Sequence, residues 1–192
     1  MTLLIPLVWL ATMFAARFLD PLPTILVPSI TMAIIVVVND RRRASEWMRL
    51  TPPIATLSLA AALLMVGTTY VIFPLLVRTL HFVRPAASAI YATFLTSGSV
   101  ALTVAGVVPV ILAEEVLWRG RFQDAAGRWS VIVTPLVYAA AHLPLGSLLL
   151  VAVAFVCGVY WSALRAISGS LIPPLCAHLA WDVALIVFPL LR

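Results

Sequence analysis

No lysine occurs in this chain; all twelve basic residues are arginines. Acids are scarcer still, with seven Asp and Glu together, so charged residues make up only 10% of the sequence. A soluble domain carries about 25%, and the shortage excludes a water-exposed surface of ordinary polarity. Nor do the arginines form one stripe. They fall in short clusters between apolar runs, where the positive-inside rule puts them, so the net charge of +5 reads as membrane topology and not as a nucleic-acid surface. Only two cysteines are present, Cys157 and Cys176. Both lie in apolar runs without CxxC spacing, which excludes a disulfide framework and a thiolate metal site. The opening MTLLIPLVWLATMFAARF lacks a basic leader, since Arg17 follows the apolar run. The expectation is a retained first helix instead of a cleaved signal peptide. No internal repeat, no low-complexity tract and no loop long enough for a soluble domain are found.

What is present is hydrophobic. Apolar residues reach 64%, against about 45–50% in soluble proteins, and the mean hydropathy is +1.14. Seven apolar segments are read, at roughly 3–19, 22–38, 54–77, 88–117, 130–143, 146–165 and 171–190. The fourth is long enough to span and then project past the membrane. The fifth is short and is expected to stop inside the bundle. The fold expected is all-α: a polytopic transmembrane helical bundle of about seven spans, within a range of six to eight. It forms a single integral-membrane domain over residues 1–192, with its chemistry in 110–185. The loop NDRRRASEWMRL carries Arg41, Arg42, Arg43 and Arg49. Placing it in the cytoplasm puts Arg119, Arg121, Arg128 and Arg165 on the same side and leaves Arg78, Arg84 and Arg192 opposite. That predicts a multi-pass protein of the cell membrane with a cytoplasmic N-terminus.

Subtracting loop charges leaves Glu114, Glu115, His142, His178 and Asp182 inside apolar segments. Each costs about 2.5–3.5 kcal/mol near a bilayer centre, so such groups face the protein interior and mark functional sites. Depth tests whether they meet. At 1.5 Å per residue, Glu114 counted from Phe122 and His178 counted from Ser170 both lie about 12 Å inside. His142, counted from Trp129, comes out at about 20 Å. The mismatch closes if RFQDAAGRW dips into the headgroups. Glu115 and Arg119 are spaced i,i+4 and pair, leaving Glu114 for other work. Tyr138–His142 and His178–Asp182 have the same spacing, so a tyrosine hydroxyl or an arginine is placed to orient a catalytic group. Pro109, Pro135 and Pro173–Pro174 precede the three sites and are candidates for kinks. The tryptophans read as interfacial anchors, His81 as a solvated loop residue, and Asp124–Arg128 as a surface pair.

In this order and spacing, EEVLWRG, YAAAH and HLAWD resemble the CPBP family, the CAAX-prenyl-endopeptidase and bacteriocin-processing intramembrane proteases. The family pattern is EExxxR, then FxxxH, then HxxxN or a relative of it. It falls here on Glu114-Glu115-xxx-Arg119, Tyr138-xxx-His142 and His178-xxx-Asp182, across about 70 residues of the C-terminal half. The N-terminal half matches only in being membrane-spanning. The resemblance implies a glutamate-dependent endopeptidase. Glu114 would be the general base on water, His142 would help hold that water, and His178 with the polar residue four positions on would stabilise the oxyanion. Tyr138 replaces the usual Phe, and Asp182 stands where asparagine is common. An ionised aspartate cannot donate a hydrogen bond. Asp182 therefore serves as a protonated acid, as an orienting group for His178, or as a metal ligand.

The expected substrate is a membrane-anchored protein or peptide, processed at a prenylated C-terminus, a leader or a C-terminal anchor, with the bilayer as the other partner. No cofactor is expected. A divalent metal such as zinc, on Glu114, His142, His178 and Asp182, is the alternative by ligand type, although no HExxH helix is present. Two further classes remain open: a proton-coupled transporter, which fits intramembrane acids but lacks repeated halves, and a non-catalytic membrane scaffold or immunity protein.

Overall fold

The computed structural model describes residues 2–94 and 99–191. Residues 95–98 of the expected fourth segment, and Arg192 of the charge count, lie outside the described residues. The elements are α1 (Leu4–Ala16), α2 (Pro21–Asn39), α3 (Arg41–Trp47), α4 (Pro52–Thr79), α5 (Val83–Phe94), α6 (Val100–Glu114), a π-helical segment (Glu115–Phe122), α7 (Gln123–Ala126), α8 (Ser130–Ala140), α9 (Leu148–Ser168) and α10 (Ile172–Val187). Among the described residues there is no strand.

Prolines and small polar residues punctuate the chain. Asp20 precedes Pro21 and its side chain accepts from Leu22 N at 3.3 Å, capping α2. Pro52 and Pro53 open α4, and Ser147 caps α9 through Leu150 N. Pro173 and Pro174 lie in the first turn of α10, so they start that helix instead of kinking it, whereas Pro109 and Pro135 sit inside α6 and α8. Gly169, with φ 66°, ends α9 in the left-handed region that glycine enters freely.

Four helical stretches are long and apolar enough to cross a membrane: Pro21–Asn39, Pro52–Thr79, Val100–Leu145 and Leu148–Ser168; α1 and α10 are shorter apolar helices. The third stretch doubles back on itself. Gly127 takes φ 60°, and Tyr138 of α8 reaches Glu114 of α6. With α1, α2, α4, α6, α8, α9 and α10 as passes, the bundle has the expected count of about seven. The expectation of one long 88–117 segment is corrected. It comprises two helices, because α5 ends at Phe94 and α6 starts after Ser99 in extended backbone.

Packing pairs α4 with α10, α8 with α9 and α2 with α6. One end of the bundle gathers the polar loops. Trp47 Nε1 donates to Asp124 at 2.9 Å, Leu171 N to Trp47 O at 2.7 Å, and Arg121 pairs with Asp40 at 3.2 Å. Arg165 pairs with Asp124 at 3.1 Å. The loops that charge bias assigned to a common side therefore do share one end. Two expectations fail here. Asp124 pairs with Arg165 rather than Arg128, whose guanidinium instead lies over Trp129. Trp9, Trp47, Trp118 and Trp161 are buried, not interfacial, and Trp129 is the exposed one. Both cysteines are free.

Candidate active site

The helix that carries EEVLWRG does not stop at Phe122. It runs through its π-helical stretch to Ala126 before the reversal at Gly127. Counted from the turn, Glu114 is then about 18 Å and His142 about 22 Å away. The depth mismatch of the sequence count narrows because the helix is longer than assumed. A π-turn packs more residues per turn than an α-turn and recurs at functional sites. Its members here are almost all buried, including Glu115, Trp118 and Arg119.

Glu114 is 6% exposed and its Oε2 accepts from the Tyr138 hydroxyl at 2.7 Å. His178 Nε2 stands 3.8 Å from the same oxygen and 3.6 Å from Asp182 Oδ2. His178 Nδ1 lies 2.8 Å from Glu115 Oε1. A carboxylate only accepts, so Nδ1 donates and Nε2 carries a proton only in the imidazolium form. Arg119 Nη1 approaches the same Glu115 oxygen at 3.4 Å, a long contact. His142 Nδ1 lies 2.7 Å from Tyr138 O. A carbonyl accepts, so Nδ1 carries the hydrogen and Nε2 is left as an acceptor. The His142 ring sits edge-on to Tyr138, centroids 4.6 Å apart.

The site residues expected from the sequence thus assemble. Glu114, Glu115, Arg119, Tyr138, His178 and Asp182 are joined in one chain of contacts, and His142 enters beside Tyr138. Arg119, expected among the loop arginines, is instead wholly buried. An arginine at such depth costs about 2.5–3.5 kcal/mol. Glu115 offsets part of that. Two aromatic faces offset more, at about 0.5–2 kcal/mol each: the guanidinium lies 4.4 Å from the Tyr138 ring and 4.9 Å from Trp161. The sequence reading missed Trp161, which stacks on His178 at 3.6 Å. It also missed the Glu115–His178 bond. Only the EExxxR spacing hinted that the second glutamate had work of its own.

Residues 96–184 match the family model described as type II CAAX prenyl endopeptidase Rce1-like. Over this segment the chain is similar to that family. All seven residues named above fall inside it, which bears out the resemblance read from the three motifs. No curated protein and no solved structure gives a significant match. At the level of the family, the match supports an intramembrane endopeptidase of the CAAX type, a hydrolase acting on a membrane-associated peptide in a lipid environment. Among the described residues, no group of three or more His, Cys, Asp and Glu side chains is arranged to hold a metal ion. At this site both Nδ1 atoms face protein acceptors, an arrangement that orients each Nε2 toward whatever the site binds.

Proposed function

We propose that the chain is a glutamate-type intramembrane endopeptidase in which Glu114 activates water. The observation that carries this reading is the position of Glu114. It is buried, held at Oε2 by Tyr138, and within 4 Å of His178 Nε2. Tyr138 occupies one carboxylate oxygen and leaves the other to take a proton. The His142 Nε2 lone pair accepts the second hydrogen of that water. The water oxygen attacks the scissile carbonyl as its proton passes to Glu114. The carbonyl electrons move to oxygen, where the His178 imidazolium donates from Nε2. Collapse breaks the C–N bond, and the proton held on Glu114 leaves with the amine.

Glu115 and Asp182 are the anions that hold His178 in this role, so Asp182 acts as an orienting group. Arg119 fixes Glu115. No step runs through a metal ion. The substrate is a membrane-anchored protein or peptide cut near its C-terminus or leader, prenylated C-termini being the class the family description points to. The protein is a multi-pass protein of the cell membrane. Its arginine-rich end faces the cytoplasm and the N-terminus lies on that side.

The test is cleavage of prenylated CAAX, leader and anchor-tailed peptides in proteoliposomes by the wild type and Glu114→Gln, with and without chelator. Cleavage by the wild type, lost in Glu114→Gln and insensitive to chelator, is expected. Proteolysis retained by Glu114→Gln overturns the mechanism, and loss on chelation moves it to a metal-dependent one.

A further inference from the structure

The three motifs sit on α6 with its π-helical extension, on α8 and on α10. The helix between the last two, α9, contributes no motif residue, yet one of its side chains touches three residues of the site. Trp161 is 2% exposed. Its ring stacks on His178, centroids 3.6 Å apart and planes 20° apart. The same indole lies 4.9 Å from the Arg119 guanidinium and meets the Tyr138 ring edge-on at 6.4 Å. His178 and Arg119 are the two donors to Glu115 Oε1, and Tyr138 is the donor to Glu114. One ring therefore faces the partners of both glutamates.

His178 needs this plane. Its hydrogen bond to Glu115 sets where Nδ1 points, but hydrogen bonds tolerate a broad range of angles and the χ2 torsion of histidine is shallow. The tilt of the ring, and with it the direction of Nε2, is left loosely set by that bond alone. An indole face at 3.6 Å supplies the missing constraint. Hydrogen bonding does not account for Trp161, because its Nε1 has no hydrogen-bond partner among the described residues. What it offers is its face.

The plate is itself held. Trp181 packs edge-on against it at 6.3 Å and donates to Thr69 of α4 at 2.8 Å. One turn earlier, Gly158 lets α9 close on its neighbours. A Cβ there would stand 3.0 Å from Pro135 Cβ and 3.4 Å from Arg119 Nη2. We propose that Trp161 is a positioning residue: stacked on His178 and covering Arg119, it keeps His178 Nε2 directed at Glu114 and Asp182 while Nδ1 stays on Glu115. The kinetic consequence rests on the proteolytic reading; the geometric one does not.

Two measurements separate them. In protein carrying isotope-labelled histidine, in nanodiscs, the chain's three histidines are resolved by NMR and His178 is assigned with His178→Gln. The wild type and Trp161→Phe are expected to show one set of His178 ring signals, with Nδ1 protonated and the ring protons shifted upfield by the stacked ring. Trp161→Leu is expected to lose the upfield displacement and to show broadened or multiple ring signals. In cleavage assays, Trp161→Leu should lower kcat about tenfold or more with KM within about twofold, while Trp161→Phe recovers most of the rate. Should the Leu variant fail to fold, Trp161→Met, of similar reach but without a ring plane, replaces it in both arms. Identical His178 ring signals in the wild type and the Leu or Met variant overturn the proposal, as does equal kcat in that variant and in Trp161→Phe. If the wild type cleaves no peptide, the proteolytic reading fails, and the NMR arm alone decides the positioning role.

Discussion

α4 and the π-helical segment cross the same bundle and obey opposite rules. On α4 the outward side carries Leu59, Leu63, Leu64 and Val71, all exposed, while its inward side is the small set Ser58, Ala61 and Met65. Charge is absent from its middle. The π-helical segment buries Glu115, Trp118 and Arg119 almost completely. In lipid there is no hydrophobic reward for packing one apolar helix on another. α4 therefore needs only apolarity outside and close fit inside, and its buried hydroxyl is satisfied within its own helix, Ser58 Oγ donating to Ile54 O at 2.7 Å. The π-helical segment holds ionic groups whose own i,i+4 pair is completed from other helices, by His178 on Glu115 and by the Tyr138 and Trp161 rings on Arg119. Single substitutions therefore matter position by position on the π-helical segment and hardly at all on the outer face of α4.

The largest expected break is Glu114→Gln, with cleavage falling about a hundredfold or more and the thermal unfolding midpoint in detergent unchanged. Arg119→Met comes next. It leaves the buried Glu115 with His178 as its remaining partner and is expected to cost about 1–3 kcal/mol, read as a lower unfolding midpoint or loss of the folded fraction in size exclusion. Tyr138→Phe restores the residue common in the family pattern and removes the donor to Glu114. The loss of one charge-assisted bond predicts a rate change of about tenfold, with folding intact, seen as kcat. The smallest effect belongs to α4. Leu63→Ala should move stability by less than about 0.5 kcal/mol, whereas Ala61→Leu, pointing inward three residues' span away, should cost about 1–3 kcal/mol by overpacking. Equal melting shifts for those two variants would erase the contrast between the outer and inner faces.

Much of the architecture was legible because bilayer insertion writes itself into local hydropathy. The spans at 22–38, 54–77 and 146–165 correspond to α2, α4 and α9. The 88–117 segment reads as one helix only if Thr96-Ser97-Gly98-Ser99, a short cluster of turn-forming residues, is passed over; the helix α6 starts after Ser99, whose backbone is extended. Within the site, the i,i+4 pairs Glu115–Arg119 and His178–Asp182 were visible in one helix each, and both form. The Tyr138 hydroxyl was foreseen as an orienting group, but its target was not. The Glu115–His178 bond crosses from the π-helical segment to α10, a relation that no spacing within either encodes. Trp161 was hidden for another reason. A tryptophan in an apolar chain suits an interface as well as a core, and only the packing of α9 against α8 and α10 tells them apart.

The brevity of α8 has a consequence for the lipid itself. Its eleven residues reach about 16 Å, roughly half of a hydrocarbon layer of about 30 Å. The chain turns at His142–Gly146, and α1, another short helix, packs against that turn. A bilayer meets an apolar segment shorter than its hydrocarbon layer by thinning locally. Membrane thickness thereby becomes a variable of the enzyme: bilayers of shorter-chain lipids fit this flank with less deformation than longer ones.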